Sequence, residues 1–247
     1  MTTPLIAGNW KMNGLSADLS EAVALAEALK HEPVSVRVAL CPPATLVERM
    51  SRAVAGSAVL VGGEDCHAEA SGAFTGDISA EMLAEAGARL VIVGHSERRA
   101  GHGETDAMVA AKAVAAVRAG LEPIICVGET LAEREAGRAL EVVTGQIAGS
   151  VPAALGSSAV TVAYEPVWAI GTGLTPTIAQ IEEIHVAVRA ALGQALGAAG
   201  GSVAILYGGS VKPSNAVEIL KAAEVGGALV GGASLKAADF LGIIQGL

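Results

Sequence analysis

Glu165 stands between a β-branched run at residues 159–162 and a proline, Pro166. The proline disfavours α geometry at the residue before it, so Glu165 is held extended and its carboxylate has few directions to point. The next stretch, Val167-Trp168-Ala169-Ile170-Gly171-Thr172-Gly173, is mostly apolar and punctuated by glycine. With Pro166 it reads as a lid, and a fixed acid or base beside such a flap suits chemistry that must exclude water. Four other segments carry candidate chemistry. Asn9-Trp10-Lys11 supplies a cation able to offset an anion. Gly94-His95-Ser96-Glu97 opens on a histidine where a helix can start, a position that disfavours the imidazolium. Glu97 is a candidate auxiliary, with a salt bridge to Lys11, Arg98 or Arg99 as its other reading. Gly208-Gly209-Ser210 and Gly231-Gly232 are paired-glycine turns, whose unhindered N–H groups can hold a dianion.

These residues need elements to position them. Apolar runs recur at residues 4–8, 36–41, 58–61, 89–94, 123–127, 160–164, 203–207 and 228–230. Each is continuous rather than alternating, as strands buried on both faces are. Helix-period segments lie between them. Ile178, Ile181, Ile184, Val188 and Leu192 share one face behind Thr177, a candidate N-cap. Leu19, Val23, Ala26 and Leu29 share a face of the first helix, with Asp18 and Glu21 in its opening turn. The alternation predicts the α/β class, a closed (β/α)₈ barrel formed by residues 1–247 as one domain. In that architecture sites form at the C-terminal strand ends, and every one of these candidates directly follows a strand. Two glycine turns at the seventh and eighth ends together make a phosphate site.

Composition narrows the partners. The chain has 247 residues, 52% hydrophobic and only 2% aromatic, so it can bury a large core built from Val, Ile, Leu and Ala. A formal net charge of −9 with no long basic tract argues against nucleic acid and anionic membrane surfaces. An anionic ligand therefore needs a locally positive site against the global field. Three scattered cysteines fit a reducing compartment, the start does not read as a signal peptide, and no apolar run reaches membrane-spanning length. The expectation is a soluble cytoplasmic protein. No dinucleotide fingerprint, P-loop or His/Cys spacing calls for a cofactor or a metal, and none is expected.

Taken together, residues 9–14, 70–76, 94–99, 126–129, 163–173, 207–211 and 229–235 resemble the triosephosphate isomerases, in family order along nearly the whole chain. The resemblance implies a TIM barrel that interconverts dihydroxyacetone phosphate and D-glyceraldehyde 3-phosphate through an enediolate, without cofactor. It implies Glu165 as the base, neutral His95 as proton donor and shuttle, and Lys11, placed with help from Asn9, as the offset for the oxyanion. The phosphate would be gripped by backbone N–H groups of Gly171, Ser210, Gly231 and Gly232. It also implies a homodimer, with the loop carrying Thr75 reaching the partner and burying Phe74. Two other readings stand beside it: another phosphate-binding barrel enzyme, such as an epimerase or aldolase, and a silent binding barrel. A Schiff-base aldolase needs a strand lysine, which is missing, and a silent barrel would be expected to lose Glu165, His95 or Lys11.

Some positions depart from the family pattern. Leu174 stands where lysine is common. His102 replaces an aromatic residue, and Glu64 and Asp65 stand where amides are usual. Gly226 replaces an aspartate, which implies loss of the ion pair with Arg189.

Overall fold

The computed structural model describes residues 3–172 and 174–246, so Gly173 of the expected lid lies outside the described residues. The strands are β1 (Leu5–Asn9), β2 (Arg37–Cys41), β3 (Val59–Gly63), β4 (Leu90–Val93), β5 (Glu122–Val127), β6 (Thr161–Tyr164), β7 (Ala204–Tyr207) and β8 (Gly227–Val230). Each pairs in parallel with the next, and β8 pairs with β1 to close the barrel. Every predicted run lies on one of these strands, within two residues at either end.

The strand period of two separates two cores. Leu5, Ala7, Ala39, Cys41, Leu90, Ile92, Ile124, Cys126, Ala163, Leu206 and Leu229 fill the barrel interior. Their neighbours, among them Ile6, Val38, Val91, Ile125, Val162 and Ile205, pack outward against the helices. Both faces are dry, hence the unbroken apolar runs. Each such aliphatic side chain contributes about 1.5–3 kcal/mol when fully buried. The interior is filled by leucine and isoleucine interleaved with alanine and cysteine, with no aromatic residue in this cluster.

The helix Ile178–Leu196 starts as expected. Thr177 Oγ1 accepts the Gln180 N–H at 3.3 Å and Gln180 Oε1 accepts the Thr177 N–H at 2.9 Å, a reciprocal cap. It buries Ile181, Ile184, Val188 and Leu192, while Ile178 is only partly covered. The first helix, Leu19–His31, corrects the expected face. It buries Ala22, Leu25, Ala26 and Leu29, and leaves Val23 40% exposed. An alanine-rich helix offers several stripes of similar hydropathy, and packing chose a neighbouring one.

A second correction concerns Arg189. Glycine at 226 does not leave it without a carboxylate: its Nε donates to Glu224 Oε2 at 2.8 Å, and its Nη1 donates to the carbonyls of Gly200 and Val203, each at 2.7 Å. Glu224 reaches it from two residues upstream by adopting a left-handed φ of 61°. His185 Nδ1 lies 3.2 Å from the carbonyl oxygen of that same residue. The ion pair thus survives on a different residue.

Candidate active site

The register of β5, β6 and β7 sets Glu165 down between two glycines. Tyr164 sits opposite Val127 and Tyr207, so the next residue, Glu165, falls beside Gly128 and Gly208. A β-carbon on Gly128 would lie 1.7 Å from the Glu165 carbonyl oxygen, and one on Gly208 would lie 3.0 Å from its Cγ. Only glycine lets the strand end come this close. The Glu165 N–H is held by the Val127 carbonyl at 2.7 Å.

Glu165 is 1% exposed. One oxygen lies 2.7 Å from His95 Nε2 and the other accepts the Ser96 N–H at 3.0 Å. Burial raises its proton affinity, but His95, Ser96 and the charge of Lys11 pull harder, leaving it below the usual carboxylate range. It is an ionised carboxylate in a dry pocket. Beneath it, burial holds the Cys126 thiol well above its ordinary value.

His95 is the N-cap of the helix Ser96–His102, and its Nδ1 accepts the Glu97 N–H at 3.3 Å. An accepting Nδ1 places the ring proton on Nε2, facing Glu165. Burial disfavours the imidazolium, yet the nearby Glu165 carboxylate and then Glu97 raise the ring's proton affinity above that of free histidine. The helix start is therefore opposed here by the carboxylate, a balance that residue spacing alone does not reveal.

Lys11 has a φ of 55°, a conformation that L-residues avoid. Its surroundings hold it there: its N–H donates to Asn9 Oδ1 at 3.0 Å, and the preceding Trp10 is buried with Nε1–H donating to the Ser234 carbonyl at 3.1 Å. The Lys11 ammonium meets Glu97 Oε1 at 2.6 Å. Of the partners considered for Glu97, Lys11 is the one it takes.

One cavity of about 340 Å³ gathers these groups. Asn9, Lys11, His95 and Glu165 line it together with Ile170, Gly171, Ser210, Gly231 and Gly232. The first glycine turn leads to the helix Pro213–Leu220; the second opens a short 3₁₀ turn, Gly232–Ser234, before the helix Ala237–Ile244. Gly171 takes a φ of 71° at the tip of the lid.

Sequence reasoning missed how the lid is moored. Glu129, fully buried, accepts from Arg134 Nε at 2.6 Å, Trp168 Nε1 at 2.8 Å and Tyr164 Oη at 3.2 Å. Its carbonyl also accepts the Val167 N–H at 3.1 Å. Trp168 is thereby fixed while Thr172 and Leu174 remain exposed. Tyr207 was also missed: its hydroxyl is buried beside Gly209 with no partner among the described residues. Both residues lie in segments that carry the resemblance, 126–129 and 207–211, but nothing in their type or spacing announces these contacts.

Thr75 lies on an exposed loop, and Phe74 remains 42% exposed despite stacking on His67 at 4.0 Å, so this chain alone does not bury it. A separate groove of about 670 Å³ runs beside Lys11 and His95 and is lined by Glu64, Asp65, Glu97 and His102. The two acidic departures in it differ. Asp65 pairs with Lys112 at 2.7 Å and Arg98 at 2.8 Å, whereas Glu64 Oε1 is buried with no partner among the described residues.

Burial pushes the Glu64 carboxyl up to about 8, against the pull of the Lys11 main chain and of His95. Its folded pKa exceeds the unfolded one, so its stability contribution is greatest below the unfolded value near 4.5 and is lost as pH rises towards 8. Glu64→Gln is expected to raise the melting temperature at pH 8.5 and to change it little at pH 4.5. Thermal melts at both values check this; an equal gain at each would remove titration as the cause.

The model of the family described as triosephosphate isomerase matches residues 4–247. A triosephosphate isomerase from Caulobacter vibrioides is 63% identical over 244 residues, covering 99% of this chain and 96% of its own length. One from Afipia carboxidovorans is 62% identical over 242 residues, covering 98% and 96%. Among solved structures, the triosephosphate isomerase from Bartonella henselae superposes with a TM-score of 0.92 at 48% identity, covering 98% of both chains.

Proposed function

The chain belongs to the triosephosphate isomerase family and interconverts dihydroxyacetone phosphate and D-glyceraldehyde 3-phosphate in glycolysis and gluconeogenesis, and on that premise we propose how its residues divide the work. Glu165 removes the proton from the carbon beside the carbonyl and returns it to the neighbouring carbon. His95 donates Nε2–H to the substrate oxygens and carries the proton between them, while Lys11 offsets the enediolate charge. Donors oriented before the charge develops stabilise it without reorganisation. Asn9 positions Lys11, while Glu97 pairs with the Lys11 ammonium and donates its N–H to His95 Nδ1. The phosphate sits on the N–H groups of Gly171, Ser210, Gly231 and Gly232. One observation carries this reading: a single cavity of about 340 Å³ is lined by Glu165, His95 and Lys11 together with both glycine turns.

For reaction the Glu165 carboxylate leaves His95 and Ser96 and turns to the substrate carbon. Its pull on the imidazole then weakens, while the Glu97 N–H at Nδ1 stays, so the ring works as neutral imidazole. Closure of the lid around Ile170 expels water and strengthens the base.

The test is isomerisation of D-glyceraldehyde 3-phosphate coupled to an NADH-consuming dehydrogenase, with EDTA present. Turnover is expected near the diffusional ceiling, about 10⁸–10⁹ M⁻¹s⁻¹ in kcat/KM. No turnover from the folded protein would overturn the reading.

The proposal extends to assembly and place. Residues 1–247 act as one barrel domain in the cytoplasm, and the chain forms a homodimer in which the Thr75 loop of one copy enters the groove beside Lys11 of the other. The exposed Phe74 and the size of that groove support it. Phe74→Asp is expected to shift sedimentation to the monomer and to lower kcat at least tenfold, because the groove borders Lys11 and His95. A variant that remains dimeric at micromolar concentration would count against this packing. No described helix is long and apolar enough to cross a membrane.

A further inference from the structure

Lys212 is a charged residue on the cavity wall to which the proposed mechanism gives no part. It follows Ser210 and Val211 and is the N-cap of the helix Pro213–Leu220. Its main chain is already occupied, since its N–H donates to Asn215 Oδ1 at 2.7 Å, while Asn215 Nδ2 donates to the Ser210 carbonyl at 3.1 Å. Asn215 thus clamps the segment from Ser210 to Lys212, with Lys212 lining the cavity and its side chain exposed.

The charge balance of the cavity makes this lysine distinct. The chain carries a formal net charge of −9, and one of its negative charges, that of Glu165, is buried in the cavity itself. Lys11 is largely spent on Glu97, 2.6 Å away. Among the described residues Lys212 has no carboxylate within ion-pairing distance, unlike Lys236, whose ammonium meets Glu21 at 2.9 Å. Lys212, with no carboxylate partner among the described residues, therefore directly follows the glycine turn assigned to the phosphate.

We infer that Lys212 draws the phosphodianion into the cavity and holds it from the solvent side, a positioning role that rests on the proposed phosphate site. It leaves the proton transfers untouched. Where chemistry is fast, kcat/KM follows the encounter rate, and one exposed charge near a dianion changes that rate in a salt-dependent way. The neutral backbone donors then fix the phosphate once it has arrived.

The experiment measures kcat/KM and kcat for D-glyceraldehyde 3-phosphate from low to high ionic strength, in the wild-type protein, Lys212→Gln and Lys212→Arg. Inorganic phosphate binding is followed in parallel by ³¹P NMR. At low ionic strength Lys212→Gln is expected to lower kcat/KM and weaken phosphate binding roughly three- to tenfold, with kcat changing far less. The gap should close as salt is added, and Lys212→Arg should restore both quantities. Equal kcat/KM and equal phosphate affinity at low salt would overturn the inference, as would a loss in kcat that ignores salt. Phosphate binding is read without turnover, so a wild-type protein that fails to isomerise but loses phosphate on Lys212→Gln would sink the catalytic reading and keep this one.

Discussion

Glu165→Asp is expected to lower kcat by about 10²–10⁴-fold, the range that a positioned general base supplies, with far less effect on phosphate affinity. The substitution keeps the charge and withdraws the carboxylate by one methylene. Glu165 has little freedom to compensate, since its N–H is fixed to the Val127 carbonyl at 2.7 Å and Pro166 follows it. The phosphate turns lie at the ends of β7 and β8 and do not depend on this side chain. Steady-state kinetics together with inhibition by inorganic phosphate separate the two quantities. A base acting in the transition state loses kcat and kcat/KM together. A fall confined to KM would show that Glu165 binds substrate and something else takes the proton.

Gly128→Ala is expected to remove more than about 99% of kcat/KM and to lower the melting temperature, although residue 128 touches no substrate. Its new methyl would stand 1.7 Å from the Glu165 carbonyl oxygen and 2.7 Å from the carbonyl carbon. Both are main-chain atoms, so no side chain can turn aside. Nor can β5 yield freely, because Gln146 holds the Gly128 N–H at 2.7 Å and its carbonyl at 3.2 Å. Overpacking of this kind costs about 1–3 kcal/mol or more, and the strand end that moves is the one carrying the base. A misplacement of about 1 Å at a reacting group costs about a hundredfold. Gly145→Ala serves as the control: it lies on the exposed side of the helix Ala139–Ser150, where an added β-carbon meets nothing within 4 Å. If Gly128→Ala matched that control in rate and melting temperature, the close approach would not be what places Glu165.

The candidate site was largely legible in the chain because its residues sit at strand ends, and strand ends follow from local patterning. Unbroken apolar runs, each followed by a helical period, specified the barrel and its order. Pro166 after Glu165, His95 at a helix start and two glycine pairs are signals that need no partner from elsewhere in the sequence. What tertiary structure decided was the pairing of polar side chains across the closed barrel. Glu129 reaches Trp168 over 39 residues, and Lys11 reaches Glu97 over 86. Arg189 finds Glu224 in place of the missing aspartate, and Asp65 is neutralised while its neighbour Glu64 is stranded. These choices turn on small shifts between loops that barrel closure brings together, and in the first helix on which of several alanine-rich stripes faces inward. Residue type and spacing carry periodicity; the partner of a buried charge depends on geometry that exists only once the last strand has met the first.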